Sequence, residues 1–391
     1  MKFLKKITFL KALITGDNYS YLYKTVIYGL DRSKKNSAIK ERKSNGITIV
    51  QDIPSYFTLE KQQSVYFKSF KTISGQLIDL EKFKDYDDYL AKQFSSKSRN
   101  TLKRRLKKLN KCFNIKVNYY YGSINKQDYD SYFEILKDFL VRRFSEKQEY
   151  NYEIQYLEEF HSLCLQLIHD KKANMVVIFN ENKPISIRIN MFFDNIAFYI
   201  ISGYDIDFAK FNLGSIDMMK NIEWCFENNF KYYDLLKGYD YYKKKWSTTE
   251  YYNHTELLVS TKKWWLYPIL NFLSLKNNYK YSAFRLIKHT FVYDFIKRLK
   301  KIKYVITHKR NKNLELLEKK NNVMKFESFE TLHVDHNRYD FLKKHLYDFL
   351  FETNEHICNI TIHRSLLHQN HYMILGKKMH QLLIFNKKNN A

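Results

Sequence analysis

Two short stretches hold residue types and spacings that can do chemistry. The first, KFNLGS at 210–215, puts a cation, an amide, a glycine and a hydroxyl before Ile216, Met219, Ile222, Phe226 and Phe230, apolar residues at helical spacing. The first amides of a helix lack intrahelical acceptors, and the helix dipole places partial positive charge beside them, so such a start suits a phosphate. In that reading Asn212 caps the helix, Gly214 lets a ligand approach the backbone, Ser215 adds a hydroxyl and Lys210 adds charge. The same order of residues also caps an ordinary helix. The second stretch, YDLLKGYDYYKKKWS at 233–247, sets an acid after an aromatic, then a lone glycine, then a Tyr/Lys run closed by a tryptophan. In a chain with 33 Tyr, that run can also arise from composition alone.

Other chemistries lack their residues. Cys112, Cys164, Cys225 and Cys358 lie far apart with no C-x-x-C pair, which reads as ordinary thiols in a reducing compartment and not as disulfides or a thiolate zinc site. Histidines crowd the end of the chain (His333, His336, His363, His368, His371), but in no zinc spacing and with no carboxylate fixed among them, so no metal is expected. Phosphate-loop, dinucleotide and serine-hydrolase motifs are absent, which leaves nucleotide hydrolysis and serine hydrolysis without support.

The elements that must position these stretches are carried by 391 residues, 45% hydrophobic and 17% aromatic, enough for one large core or several smaller ones. With 9 Gly and 3 Pro, long flexible linkers are not expected. Lys and Arg outnumber Asp and Glu by 67 to 41, a net charge of +26 that favours an anionic partner: nucleic acid, a membrane surface or a phosphate-bearing cofactor. The excess of Lys, Asn, Tyr, Phe and Ile also matches A/T-rich codons. At the start, Phe3, Ile7, Leu10 and Ile14 share a helical face interrupted by lysines, which predicts an amphipathic helix packed on its own domain or resting on a membrane, and neither a secretory signal nor a span. The expected location is cytoplasmic, with peripheral attachment to the anionic inner membrane face allowed.

Three zones follow from the pattern, with no internal repeat. Short β-rich runs between 46 and 80 lead to a helix at 81–94 and a basic helix at 95–111, lined on one face by Leu102, Leu106 and Leu109. Helices at 128–143 and 154–170 then precede three apolar runs broken at 180–184 and 194–195, an antiparallel meander, followed by the helix after Gly214 and the strand YYDLL. From Lys262 the character changes to an aromatic cluster at 264–275, a basic helix at 291–303, a charged linker at 307–322 and the histidine-rich end. The boundaries predicted are 1–95, 96–260 and 261–391, the last a small accessory unit.

Taken in order, these pieces resemble the N-acetyltransferase-like (GNAT) superfamily and, more narrowly, its cellulose-biosynthesis (CelD-like) branch, related to the FemAB peptidyltransferases. The residues that carry the resemblance are SSKSRNTLKRRLKKL at 95–109, FNENKPISIRINMFFDNIAFYIISGYD at 179–205, FAKFNLGSIDMM at 208–219 and YYDLLKGYDYYKKKW at 232–246. In the last, Tyr233, Asp234, Leu235, Leu236, Lys237, Gly238, Tyr242, Lys243 and Trp246 follow the family pattern. The resemblance implies an α+β fold with a central, mostly antiparallel sheet flanked by helices, and room for a degenerate GNAT-like half at the N-terminus. It implies an acyltransferase: an acyl-CoA such as acetyl-CoA bound at splayed strands, and an acceptor amine or hydroxyl on a cell-envelope sugar, polysaccharide precursor or lipid-linked molecule. Asp234 would serve as base or orienter and Tyr242 as acid, with Lys243 on a donor phosphate. KFNLGS keeps one glycine where the fuller family loop has two. The FemAB relatives use aminoacyl-tRNA, for which the basic helix at 97–108 suits the phosphates. A non-catalytic nucleic-acid-binding protein is the reading from another class.

Overall fold

The computed structural model describes residues 4–16, 22–29, 33–36, 46–150, 153–238, 241–288, 290–307, 314–321, 328–332, 339–368 and 370–387. His333 and His336 lie outside them, as do Tyr239 and Asp240. The chain opens with β1 (Leu4–Thr8), α1 (Phe9–Thr15), β2 (Tyr23–Tyr28), β3 (Ser33–Asn36), β4 (Ile47–Pro54), β5 (Thr58–Lys61) and β6 (Val65–Asp79). It continues through α2 (Tyr86–Gln93), α3 (Ser96–Cys112), β7 (Ile115–Tyr120), α4 (Lys126–Lys147), α5 (Leu157–His169), β8 (Ala173–Asn180), β9 (Lys183–Phe193) and β10 (Ile196–Tyr204). Then come α6 (Leu213–Glu227), β11 (Tyr232–Lys237), α7 (Tyr241–Trp246), β12 (Thr249–Ser260), α8 (Tyr267–Ile287) and α9 (Phe291–Thr307). The end holds β13 (Leu314–Asn321), β14 (Phe329–Leu332), α10 (Asp340–Thr353), β15 (Thr361–Ser365), β16 (His371–Leu375) and β17 (His380–Lys387).

Nine strands form the central sheet in the order β1-β4-β12-β6-β11-β10-β9-β8-β7. The meander β7 to β10 is antiparallel, its turns taken by Glu181 and Asp194, both at positive φ as tight hairpins require. A helical crossover must separate parallel neighbours, and α6 does so between β10 and β11. Both faces of the meander are covered, which is why β8 is buried almost throughout its length. Tyr129, Phe133, Leu136 and Leu140 of α4, with Leu167 and Ile168 of α5, pack on Met175, Val177, Ile187 and Ile189. On the opposite face Leu90, Leu102, Met218, Met219 and Ile222 from α2, α3 and α6 pack on Phe192, Ala197, Tyr233 and Leu235. The fold is thus α+β with a GNAT-like, mostly antiparallel central sheet.

The sheet does not stop at residue 95, since β6 lies between β11 and β12. Two of the short β-rich runs expected between 46 and 80, SVYFKSF at 64–70 and GQLIDL at 75–80, are joined in the single strand β6. At the start, residues 4–8 are a strand paired with β4, and only 9–15 are helical, with Phe9, Ala12, Leu13 and Ile14 buried. Pairing with β4 outweighs the helical pattern there, and the helix packs on its own domain. The charged run at 307–322, read as a linker, contains β13, the edge of a second, five-stranded antiparallel sheet ordered β13-β17-β16-β15-β14. That sheet and α10 share an apolar core with the GNAT-like part: Phe113 and Phe208 pack on Tyr347, and Phe211 on Phe351, with ring centroids 4.5–5.1 Å apart.

Candidate active site at the diverging strands

β10 and β11 pair at only three levels, Ile196 with Tyr232, Ala197 with Tyr233 and Phe198 with Asp234. Beyond that level they part. The β9/β10 ladder shifts register between Tyr199 and Ile201, and the β6/β11 ladder between Asp234 and Lys237, so each strand turns towards its outer neighbour. The result is an open wedge between two parallel strands. Its β11 side holds a backbone outlier, Leu236 at φ 62°, a conformation a leucine adopts only when its surroundings impose it.

The Asp234 carboxylate imposes it. Oδ1 accepts the Leu236 N–H at 2.7 Å and the Tyr251 hydroxyl at 2.7 Å, while Oδ2 accepts the Tyr56 hydroxyl at 2.5 Å and Tyr251 again at 2.8 Å. The side chain is fully buried, and this desolvation pushes its pKa up to about 6 against the pull of those hydrogen bonds. Tyr56 and Tyr251, pressed edge to face at 5.1 Å, are themselves raised well above the ordinary tyrosine value, by burial first and then by the adjacent carboxylate. Tyr251 reaches Asp234 across Gly75, where an added Cβ would lie 2.2 Å from the ring. The glycine is what lets the phenol through.

Behind the wedge, Arg188 of β9 donates from Nε to Asp217 of α6 at 2.7 Å and from Nη1 to the Tyr233 hydroxyl at 3.0 Å; Tyr233 in turn donates to Asn190 at 2.8 Å. This fully buried pair ties β9, α6 and β11 together. Two cations also stand over Tyr199, at the level where β10 turns: the Arg188 guanidinium at 4.2 Å and the Lys243 ammonium at 5.6 Å from the ring centroid. Lys243 is itself buried and donates to the Lys237 carbonyl at 3.1 Å. Tyr242 packs, partly buried, against the α6/β11 core, and α7 is anchored by Trp246, edge-on to Phe94 at 4.7 Å.

The Lys210–Ser215 turn lies at the far end of β10. Lys210 pairs with Glu352 at 2.5 Å and Asp348 at 3.6 Å on α10, so its charge faces the C-terminal unit. Asn212 sits at φ 59° without a side-chain cap, while its carbonyl accepts the Ser215 N–H at 2.9 Å. Gly214 accommodates a ring: a Cβ there would stand 2.9 Å from Tyr204 Cε1. Tyr204 also meets Arg143 of α4, whose guanidinium carbon lies 5.0 Å from the ring centroid. Arg143 Nε is buried and has no hydrogen-bond partner among the described residues, while Tyr204, Tyr199, Tyr242 and the carboxylates of Glu153 and Asp217 stand close enough to interact with its charge.

A family model described as an acetyltransferase (GNAT) domain matches residues 96–244, from the start of α3 to within α7. Residues 96–244 form a GNAT-like acyltransferase domain. Among solved structures, similarity is found to FemX (TM-score 0.40, 12% identity, 56% of this chain and 74% of that one). A conserved protein of unknown function from Bacteroides thetaiotaomicron is similar at TM-score 0.37 and 10% identity, over 55% of this chain and 70% of that one. L-PGS from Bacillus licheniformis is similar at TM-score 0.33 and 9% identity, over 54% of this chain and 67% of that one. A search of curated proteins finds no match.

In the GNAT-like domain and its neighbours the structure brings Asp234, Tyr242 and Lys243 to the wedge, and Asn212, Gly214 and Ser215 to its far end. Lys237 bonds Asp52 at 2.6 Å and takes no part in the hydrogen-bond set of Asp234. Sequence reasoning did not find Tyr56, Gly75, Tyr251, Arg143, Arg188 or Asp217. Tyr56 comes from the β4–β5 turn, Gly75 from β6 and Tyr251 from β12, and no local pattern marks them. Arg188 and Asp217 carried a signal, charges in otherwise apolar runs whose burial demands a partner. Among the described residues no group of three His, Cys, Asp or Glu is placed to hold a metal ion.

Proposed function

We propose that the domain transfers an acyl group from acyl-CoA, acetyl-CoA foremost, to an amine or hydroxyl of a cell-envelope sugar or polysaccharide precursor. The observation that carries this reading is Arg143: Glu153 and Asp217 act on its charge, but its buried Nε–H has no hydrogen-bond partner among the described residues and is left to donate to an anion, and its guanidinium stands over Tyr204, the ring that packs on Gly214. Donor phosphates would sit there. The extended pantetheine arm would lie in the wedge and hydrogen-bond the strand edges that β10 and β11 no longer offer each other.

The reaction forms a bond from the acceptor nitrogen or oxygen to the thioester carbonyl carbon and breaks the carbon–sulfur bond through a tetrahedral intermediate. Tyr242 would return a proton to the departing thiolate. Lys243 would supply positive charge beside the donor. Asp234, saturated by hydroxyls and an amide, takes the orienting role by holding Leu236 and both tyrosines in place. Thermal-shift titration with CoA tests the placement. Arg143→Ala and Lys243→Ala are expected to lose the CoA-induced rise in melting temperature, whereas Lys210→Ala keeps it. Equal shifts in all four proteins would overturn the site.

A second reading, an aminoacyl-tRNA donor, is favoured by one feature. Lys97, Lys103, Arg104, Lys107 and Lys111 of α3 are all exposed on one helix. A tRNA held there would lose affinity steeply as salt rises, far more than CoA would, and binding of tRNA without transfer would favour a nucleic-acid-binding role.

A further inference from the structure

α9 is a helix without an interior. None of its residues is buried, yet Phe291, Phe295, Leu299, Ile302 and Ile306 recur along it at helical spacing and are exposed, Phe291 by 83% and Ile306 by 72%. At about 100° per residue these side chains form one stripe, and the residues that touch the protein lie opposite it. Those are Tyr304, edge-on to Tyr150 at 5.1 Å, and Tyr293, edge-on to Phe284 at 6.0 Å. α8 repeats the arrangement. Leu270, Tyr267 and Tyr281 face β6 and β12, with Tyr267 stacked on Tyr66 at 3.9 Å, while Ile269, Phe272, Leu275, Tyr279 and Leu286 face away and are exposed. Trp264 and Trp265 stand exposed just before it.

Charge identifies the occupant. Residues 262–307 hold eleven Lys and Arg against one acid, Asp294. On α9, Arg298 and Lys303 border the apolar stripe and Lys300 and Lys301 lie further round, while Lys297 turns to the protein and pairs with Glu149 at 3.8 Å. Two copies of so basic a surface would repel each other, and a nucleic acid would leave the stripe in water. An anionic phospholipid surface meets both demands: acyl chains for the stripe, headgroups for the lysines, and an interfacial depth suited to the exposed tryptophans. Among the described residues no helix is long and apolar enough to cross a membrane, which fits a hairpin lying on the bilayer plane. We infer that α8 and α9 form a monotopic anchor that rests the protein on an anionic membrane surface. The inference stands apart from the donor reading, because no residue of the wedge takes part in it.

Flotation of the full chain with vesicles tests it, comparing phosphatidylcholine alone with phosphatidylcholine containing phosphatidylglycerol. The chain is expected to float with the anionic vesicles, more weakly at high salt, and with a blue shift of tryptophan emission. Phe295→Ser/Leu299→Ser and Phe272→Ser/Leu275→Ser should each lower partitioning by roughly tenfold or more with melting temperature and CoA response little changed, since these side chains are exposed and belong to none of the buried cores. Absence of flotation, or flotation indifferent to the serine pairs, would overturn the inference. So would a dimer in sedimentation that the serine pairs dissociate without any vesicle binding, which would assign the stripe to a second copy.

Discussion

Gly75→Ala should behave as a mutation of Tyr251. An alanine Cβ at position 75 would lie 2.2 Å from Tyr251 Cζ and 2.4 Å from its hydroxyl oxygen, far inside contact distance. The backbone of Gly75 is not left-handed, so alanine brings no strain of its own and the whole effect is steric. Tyr251 has nowhere to go: it is 6% exposed and held edge-on by Tyr56. Displacing it removes a hydroxyl shared by both Asp234 oxygens, and a hydrogen bond to a charged group is worth roughly 1.5–3 kcal/mol. With the repacking of a buried ring added, the expected loss is about 2–4 kcal/mol. Urea unfolding of Gly75→Ala, Tyr251→Ala and the double variant is the assay. Once the ring is gone, alanine at 75 meets no obstacle, so the double variant should cost no more than Tyr251→Ala alone, a coupling of about 2 kcal/mol or more. Additive losses, or a single-variant cost below about 0.5 kcal/mol, would refute the reasoning.

Asp234 is held at about 6 against an ordinary 3.8, so between those values the folded chain binds a proton that the unfolded chain releases; this group therefore lowers stability as pH rises through that window, by roughly 3 kcal/mol. Asp234→Asn should flatten that slope, read as the difference between urea midpoints at acid and neutral pH. Gly214→Val would drive a side chain into Tyr204 and shift Arg143 with it, so CoA affinity measured by calorimetry should fall; an unchanged affinity separates the phosphate from this end of β10. Tyr242→Phe should reduce single-turnover rate by about 10²–10⁴-fold with CoA affinity intact if the phenol is the acid, and a wild-type rate removes it from that role. A chain ending at Ser260 would bare Phe113, Phe208 and Phe211, and should lose its cooperative melt or aggregate; a monomer with an unaltered melt would show that the shared core is dispensable.

The meander, the helix after Gly214 and the strand YYDLL were legible because each is written locally, as an alternation of two, a spacing of 3.6 or a hairpin turn. The basic helix at 291–303 was legible for the same reason, and α9 extends it to Thr307. What could not be read was long-range. Nothing in the run SVYFKSF shows that it continues unbroken into GQLIDL, or that β6 will lie between β11 and β12. The site divides the same way. Asp234, Tyr242 and Lys243 were visible as a motif, but the partners that set Asp234's character arrive from elsewhere in the fold: Tyr56 on the β4–β5 turn, and Tyr251 by strand pairing and one glycine that leaves space. For Gly214 the sequence suggested room for a ligand, and the structure shows room for Tyr204. Lys210 was read as phosphate charge, a role its pairing with α10 competes for.

Hydrogen–deuterium exchange with and without CoA tests the central claim most directly, because it locates the donor on the chain. If CoA occupies the wedge, the amides of residues 199–204 and 235–238 gain protection together with those at the start of α6, and Arg143→Ala diminishes the effect. Protection confined to other surfaces, with the wedge exchanging as in the free protein, would contradict the account.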